Sequence, residues 1–180
     1  MILVYALAAL VFAADIATKL WISNNFVLYR SEALIPGILN ITNIANDGIA
    51  FGWMDNARWL FMLVTVVMVV AFAVFLVFVK GYHKTVYVSA ALIFGGGLGN
   101  LIDRIVSFGR YDVEKCVVDF IDFCAFPEYW MWTFNVADMG VCIGVGLLIV
   151  YLLFMDKKAY KVGYKAVLYE EKESGGKTDE

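Results

Sequence analysis

The chain has 180 residues, of which 62% are hydrophobic and 17% charged, with a formal net charge of -3. Soluble domains are about half apolar and about a quarter charged, so this composition argues against a water-soluble globule. The acidic balance argues against a nucleic-acid partner. The length predicts one domain, which we place at residues 1–155, followed by a polar cytoplasmic tail at 156–180.

Apolar stretches predict four transmembrane helices. They cover about residues 2–22, 59–79, 86–106 and 132–155. The second stretch contains no charge, and as a helix it is about 32 Å long, enough to cross a bilayer core of about 30 Å. The first stretch has no basic segment before it and carries Asp15 and Lys19 where a signal-peptide cleavage site would be expected. We therefore expect a retained helix there.

The two longer connections between the predicted helices have different compositions. Connection 23–57 has strand-like residues at 26–29 and 39–44, with a turn signal at Pro36-Gly37, which predicts a small sheet. Connection 105–131 is rich in aromatic residues, which favour the headgroup level and predict an interfacial loop or helix. Lysines cluster in the short loop after the second span and behind the fourth, which favours both termini in the cytoplasm and both connections outside.

Charged side chains within the spans need a reason, because each costs about 3 kcal/mol or more by insertion scales. Asp15 and Lys19 are four residues apart, so they can form a structural ion pair or orient a substrate backbone. Segment 95–100, with four glycines, can be a surface for close helix packing. Asn100 follows in that segment, and Asp103 and Arg104 one turn later can form a buried polar network with it.

The segment from Asn46 to Phe51 has the composition of a turn. Gly48 can supply a positive φ angle, which a turn at this point would use. Asn46 can then either stabilise the turn or hydrogen-bond a peptide substrate.

Asp119 and Asp138 are the strongest candidates for a pair of catalytic residues. Asp119 lies in an apolar, aromatic setting just outside the third span, and Asp138 lies near the outer end of the fourth span. Neither has an obvious cationic partner nearby in sequence. Two carboxylates that meet at low dielectric share a proton, so that one can act as a base and the other as an acid. An ion or proton relay would use the same two residues.

The sequence lacks the residues that several other catalytic mechanisms need. The chain has no HExxH motif, and His83, its one histidine, falls in a predicted cytoplasmic loop, which argues against a Ser-His-Asp triad. A dyad of Ser23 and Lys19 is conceivable from their spacing. The three cysteines, Cys116, Cys124 and Cys142, form no CxxC pair, so we expect neither a metal site nor a disulfide framework.

In combination, these polar blocks resemble lipoprotein signal peptidase, also called signal peptidase II. In chain order the matching blocks are Asp15-Ile-Ala-Thr18-Lys19, Asn46-Asp-Gly48-Ile-Ala50-Phe51, Gly96-Gly97-Leu-Gly99-Asn100-Leu-Ile-Asp103-Arg104, Val118-Asp119-Phe120 and Phe134-Asn135-Val-Ala137-Asp138. The resemblance runs from about residue 1 to about residue 155. Its specificity comes from the shared order, spacing and helix placement, because any one block alone is weak.

The resemblance implies an all-α integral membrane protein with four transmembrane helices, a small extracytoplasmic β-cradle and an interfacial loop or helix. It implies an aspartic endopeptidase with Asp119 and Asp138 as the catalytic dyad. The reaction would be hydrolysis of the bond before the diacylglyceryl-modified cysteine of a prolipoprotein. The supporting residues for the substrate and the pocket would be Asp15, Lys19, Asn46, Gly48, Asn100, Asp103, Arg104, Asn135 and Ala137.

The same resemblance sets expectations about location and partners. We expect a monomer in the bacterial cytoplasmic membrane that spans it several times, with the active site near the extracytoplasmic face. The partners would be lipid-modified prolipoproteins and membrane lipid, with water as the nucleophile and no metal or cofactor. Met139 departs from the family, which usually has Ser at that position, and this puts the fine packing near the dyad in doubt.

Two rival functions use the same residues differently. A small transporter or channel subunit would use Asp15, Asp103, Asp119 and Asp138 as an ion path, with carboxylates spread along the membrane depth. A structural assembly factor would use the glycines as a packing seam, but it gives no reason for an unpaired aspartate at position 138.

Overall fold

A computed structural model describes residues 1–46, 57–78, 81–106, 116–126, 128 and 132–155. Its elements in chain order are α1 (Ile2–Asn25), β1 (Ser31–Ile35), β2 (Leu39–Asn46), α2 (Ala57–Phe78), α3 (Lys84–Val106), β3 (Val117–Phe123), β4 (Thr133–Phe134) and α4 (Val136–Val150). Helix α4 continues as a short π-helical segment, Tyr151–Met155. The described residues therefore form four helices and one small sheet.

Three of the described helices have the length and the composition of membrane spans. Helices α1, α3 and α4 with its π-helical segment are each long and apolar enough to cross a bilayer, and Met62–Phe78 of α2 is a shorter apolar helix. Large apolar side chains such as Leu63, at 60% exposure, and Phe154, at 72%, point away from the protein. Such surfaces suit lipid, as expected for a mostly helical membrane protein.

Helix α3 lies at the centre of the bundle. In an apolar stretch of 18 residues within α3, 56% of the stretch is buried inside the protein, against 17% for the corresponding stretch of α1 and 22% for that of α4 with its π-helical segment. A Cβ atom added at Gly95 would lie 2.5 Å from the Ala8 carbonyl oxygen of α1, and one added at Gly96 would meet the Ala137 carbonyl oxygen of α4. The glycine segment therefore lets two neighbouring backbones approach α3 closely, as small residues do in membrane bundles.

The four strands form one antiparallel sheet in the order β1-β2-β3-β4. It packs against the end of α1, where Ile22 forms an apolar cluster with Val118 and Phe120 of β3. Strands β2 and β3 pair from Leu39 opposite Phe123 to Asn46 opposite Val117. This register carries Asp119 to the end of the sheet that lies over the helices.

The sheet differs from the sequence prediction in three places. The first strand is Ser31–Ile35 and not 26–29, because the chain turns at Tyr29, whose φ is 59°. Part of connection 105–131, predicted as an interfacial segment, is strand β3. The fourth helix begins at Val136 and not at 132, because Thr133 and Phe134 pair with β3 and Asn135 caps the helix.

Some predictions lie outside the described residues. They include the turn at Gly48, the remainder of the predicted interfacial segment at 107–115 and the polar tail at 156–180. The count of four membrane spans stays a prediction, since three helices reach the necessary length within the described residues.

Two glycines of α4 give a matched test of helix packing. A Cβ atom at Gly144 would lie 2.8 Å from the Ser89 carbonyl oxygen and 2.7 Å from a side-chain carbon of Ile93, whereas Gly146 has open space around it. We expect Gly144→Ala to lower the free energy of unfolding by about 1 to 3 kcal/mol through overpacking. Gly146→Ala should leave stability unchanged or slightly higher, because Ala favours a helix. Thermal unfolding in detergent measures both, and equal stabilities would contradict the packing.

Candidate active site

Asp119 and Asp138, predicted as a pair, reach one cavity from different elements. Asp119 lies on β3 opposite Ile44 of β2 and is only 3% exposed. Asp138 lies in the first turn of α4 and is partly buried. Both line a cavity of about 440 Å³ between the sheet and helices α2, α3 and α4. The fold therefore brings together carboxylates that are 19 positions apart in the chain.

Asn135 connects the two carboxylates. Its side-chain Nδ2 donates to Asp119 Oδ1 at 2.6 Å. Its backbone N–H donates to Asp138 Oδ2 at 3.1 Å, and its Oδ1 accepts from the Asp138 backbone N–H at 2.9 Å. The latter two bonds form a capping box that begins α4. One residue thus fixes the start of the helix and the positions of both aspartates.

Two further asparagines complete the set of donors. Asn46, at the end of β2, donates from Nδ2 to Asp119 Oδ2 at 2.7 Å. Asn100, on α3, donates from Nδ2 to Asp138 Oδ1 at 2.7 Å. Each aspartate therefore receives two N–H donors, one of them from Asn135 in both cases.

Lys19 lies behind the dyad as a buried cation. Its Nζ is 2.7 Å from Asp15 Oδ2 and 2.8 Å from Asp103 Oδ2, and it donates to Asn100 Oδ1 at 2.8 Å. Asn135 Nδ2 also donates to Asn100 Oδ1, at 3.1 Å. Two donors on this oxygen fix the orientation of the Asn100 amide, so that its NH₂ group faces Asp138.

Asp15 extends this network to the first turn of α4. Its Oδ1 accepts the backbone N–H of Ala137 at 2.8 Å. A Cβ atom at Gly99 would meet the Asp15 carboxylate and would lie 3.4 Å from the Ala137 Cβ atom. Glycine at position 99 is therefore required for α1 and α4 to meet across α3. The structure agrees with an ion pair for Asp15 and Lys19, and it adds Asp103 to that pair.

Burial is the main cause that raises the pKa of Asp119, from 3.8 to about 7. The nearby carboxylate of Asp138 raises it further, while the hydrogen bonds from Asn46 and Asn135 act in the opposite direction. Near neutral pH the pair therefore holds one proton for a substantial fraction of the time.

The remaining walls of the cavity are mostly apolar. Arg104 lines it and donates from Nη1 to the Asn100 backbone carbonyl oxygen at 3.1 Å. The other lining residues include Val64, Thr65, Met68, Ile93, Gly97, Trp132, Thr133, Phe134, Val141 and Cys142. The cavity thus joins a polar end, with the two carboxylates, to an apolar region between three helices.

The sequence analysis did not predict several of these wall residues. Thr65 and Met68 of α2 carry no motif, and Thr133 was assigned to the start of the fourth helix, although it is in β4. A signal was available for β3, since Val117–Phe123 is rich in the β-branched and aromatic residues that strands favour. Gly48, also predicted for the site, lies outside the described residues.

No metal centre is found in the part of the chain that the structure describes, where no group of three or more His, Cys, Asp or Glu side chains could hold an ion. The carboxylates of the site are instead bound by amide N–H groups and by Lys19. Such a site can activate water through acid–base chemistry on a carboxyl pair.

Comparisons with known proteins cover nearly the whole membrane region. A family model described as signal peptidase (SPase) II matches residues 7–154. The lipoprotein signal peptidase of Blochmanniella pennsylvanica (strain BPEN) is 37% identical over 161 residues, which covers 86% of this chain and 92% of that protein. The lipoprotein signal peptidase of Symbiobacterium thermophilum is 35% identical over 152 residues, which covers 84% and 95%.

Two solved structures described as a bacterial membrane enzyme, both studied by the in meso method, share the fold. The one at 1.9 Å resolution has a TM-score of 0.74 at 33% identity and covers 86% of this chain and 95% of its own. The one at 2.3 Å has a TM-score of 0.72 at 33% identity, covering 85% and 88%.

The buried cation gives the first test of this site. Lys19→Met leaves the carboxylates of Asp15 and Asp103 buried without their counter-ion, so the free energy of unfolding should fall by about 3 to 5 kcal/mol. Lys84→Met, at an exposed position at the start of α3, is the matched control and should have little effect. Thermal unfolding in detergent gives both values, and equal stability of the two variants would rule out the network as a stabilising element.

The raised pKa of Asp119 gives a pH test. Between pH 3.8 and about 7 the folded protein keeps a proton that the unfolded chain has released. The free energy of unfolding should therefore fall as pH rises through this range, by on the order of 4 kcal/mol in total. Unfolding measured at several pH values should show a shallower slope in Asp119→Asn. An identical slope in the variant would mean that groups other than Asp119 cause the pH dependence of the free energy of unfolding.

Proposed function

This chain belongs to the signal peptidase II family, and from that premise we propose that it removes the signal peptides of prolipoproteins as an aspartic endopeptidase. The family model and relatives with 35–37% identity over most of the chain support a peptidase of the membrane, as the sequence blocks predicted. The bond cut is the one before the diacylglyceryl-modified cysteine. The observation that carries the mechanism is the meeting of Asp119 and Asp138 in one cavity.

The donors around the dyad suggest different roles for the two carboxylates. Asp138 receives N–H groups from Asn100 and Asn135 and lies in the first turn of α4, where the helix dipole favours a negative charge. Asp119 is more deeply buried, and its raised pKa favours the protonated form. We therefore assign the base to Asp138 and the acid to Asp119.

The reaction then proceeds in two steps. Asp138 takes a proton from water as the water oxygen attacks the scissile carbonyl carbon, and Asp119 gives its proton to the carbonyl oxygen. The resulting tetrahedral diol collapses, its C–N bond breaks, and the leaving amine takes the proton held by Asp138. Asp119 regains a proton from the diol as the new carboxyl group forms, so that the pair returns to one shared proton.

The apolar walls of the cavity suit a substrate that remains in the membrane. Val64 and Met68 of α2, Ile93 of α3 and Val141 of α4 all line the cavity that the two aspartates share. A peptide that carries acyl chains would bury apolar surface against such walls, whereas the same peptide without lipid would bury less. Arg104, at the polar end, would bind the substrate backbone.

The proposal includes an orientation in the membrane. We place four spans across the bacterial cytoplasmic membrane, with both termini in the cytoplasm and the sheet and dyad at the extracytoplasmic face. The protein acts as a monomer in this scheme, since both aspartates and all the donors described for them come from one chain.

An ion path is the rival use of the same carboxylates. Such a path needs carboxylates at successive depths. Here Asp15 binds the start of α4 and Asp103 binds Lys19, so both belong to the one cluster at the sheet end. This gathering favours a single catalytic site over a route across the membrane.

Loss of either carboxylate should stop the reaction. Asp119→Asn and Asp138→Asn should each lower the cleavage rate of a diacylglyceryl-modified prolipoprotein by about 100- to 10,000-fold, because acid–base catalysis contributes a factor in that range. Asp122→Asn is the matched control on the same strand, since Asp122 binds Asn40 and Thr42 instead of the dyad. Full activity in a folded Asp138→Asn protein would overturn the aspartyl mechanism, and Ser23 with Lys19 would be tested next.

The substrate's lipid should matter separately from its sequence. We expect kcat/KM for the unlipidated form of one prolipoprotein to be at least about 100-fold lower than for the lipidated form, because the apolar walls then bury less substrate surface. Paired kinetics on the two forms measure this ratio. Equal rates would contradict the role of the apolar cavity without affecting the assignment of the dyad.

A further inference from the structure

The β1–β2 hairpin exposes large apolar side chains at its end. We define the apolar tip as Leu34, Ile35 and Ile38, which are 60%, 46% and 47% exposed. The Ile38 backbone N–H donates to the Ile35 carbonyl oxygen at 3.0 Å and closes a four-residue turn. Pro36 and Gly37 occupy its centre, and the Gly37 φ of 73° matches a type II turn. The turn thus fixes the tip with its apolar side chains outward.

The surroundings of the apolar tip add to its apolar surface. The Cys124 backbone N–H donates to the Ile38 carbonyl oxygen at 2.9 Å, and Phe126, two residues later, is 61% exposed. Strand β1 is the edge of the sheet, all of its residues are exposed, and Glu32 is its one charged residue. The large exposed apolar side chains of this edge are Leu34 and Ile35, at its tip end.

Elsewhere on the sheet, side chains of β2 and β3 have partners within the protein. Ile41 and Ile121 pack against the cluster of Ile22, Val118 and Phe120. Asp122 accepts hydrogen bonds from Thr42 at 2.9 Å and from Asn40 at 3.3 Å. Exposed apolar surface on the sheet is therefore concentrated at the end that carries the tip.

We propose that the apolar tip inserts into the lipid layer at the end of the bundle that carries the sheet. Trp21, on the last turns of the membrane helix α1, is 56% exposed, and Val27 and Tyr29 in the following loop are 67% and 63% exposed. Exposed apolar and aromatic side chains thus lie at the end of a lipid-facing helix and in the loop before β1, and the exposed Arg30, Ser31 and Glu32 separate them from the tip. Exposed Trp and Tyr at a helix end are typical of the headgroup level.

A second copy of the chain fits the apolar tip less well than lipid. A stable protein interface buries about 800 Å² per partner, and three partly exposed aliphatic side chains with Phe126 fall well short of that. Lipid has no such threshold, because each apolar side chain gains independently on entering it.

Lipid contact at the tip would affect the position of the acid of the dyad. Leu39, next to the tip, pairs with Phe123, and Ile44 on the same strand pairs with Asp119. Lipid contact that fixes the tip end of strands β2 and β3 therefore limits how far the sheet, and Asp119 with it, can tilt away from α4. This consequence rests on the proposed function, whereas the lipid contact itself does not.

Photo-cross-linking in vesicles tests the contact directly. A benzophenone side chain is introduced at position Ile35 of the full chain, or at Ser31 as the control on the same strand. Ser31 Oγ pairs with Thr42 Oγ1, which in turn donates to Asp122. After irradiation in vesicles of phosphatidylethanolamine and phosphatidylglycerol with a fluorescent phospholipid, position 35 should carry at least fivefold more lipid label than position 31.

A second preparation separates insertion from chance contact. Leu34→Ser with Ile38→Ser should lower the label at position 35 at least threefold, while thermal unfolding shows that the fold is kept. Equal label at positions 31 and 35, no fall in the double variant, or a covalent dimer in place of the lipid adduct would overturn the proposal. Labelling needs no catalysis, so strong label at position 35 in a protein that cleaves no prolipoprotein would contradict the proposed function alone.

Discussion

A buried ammonium group is the constraint on which the described site depends. Lys19 is 2% exposed and is held by Asp15 and Asp103, which are 0% and 1% exposed. An unpaired charge at this depth would be prohibitively costly, so the three side chains must stay together. Because Asp15 also binds the Ala137 N–H and Lys19 binds Asn100, this one cluster ties α1, α3 and the start of α4 into a fixed arrangement.

The dyad derives its geometry from that cluster through amides instead of further charges. Asn100 hydrogen-bonds both Lys19 and Asp138, and Asn135 hydrogen-bonds both Asp138 and Asp119. The position of the lysine therefore determines the positions of the two carboxylates. Amide donors orient carboxylates without neutralising them, which leaves a proton for the pair to share. A cation in direct contact would instead have favoured two ionised carboxylates and removed the acid that our proposal assigns to Asp119.

Small residues and the sheet make this arrangement sterically possible. Gly96 and Gly99 let the Ala137 turn of α4 approach α3 closely enough for short hydrogen bonds, and no side chain could occupy those positions. The sheet then brings Asp119 to the site from outside the bundle, through its pairing with β2. The apolar tip at the opposite end of the same strands gives the sheet a second point of contact, with lipid in our proposal.

The sequence by itself determined the class of the protein, the apolar helices and the residues of the polar network, because charged and amide side chains are costly beside lipid and stand out in an apolar chain. It did not determine which element carries Asp119, where the first strand lies or where α4 begins. Those features depend on pairing between segments far apart in the chain, such as Ile44 with Asp119 and Ile121 with Phe134. Only the tertiary structure decided that one lysine serves two aspartates and that one asparagine joins the dyad, since hydrogen-bond partners across elements leave no local pattern in sequence.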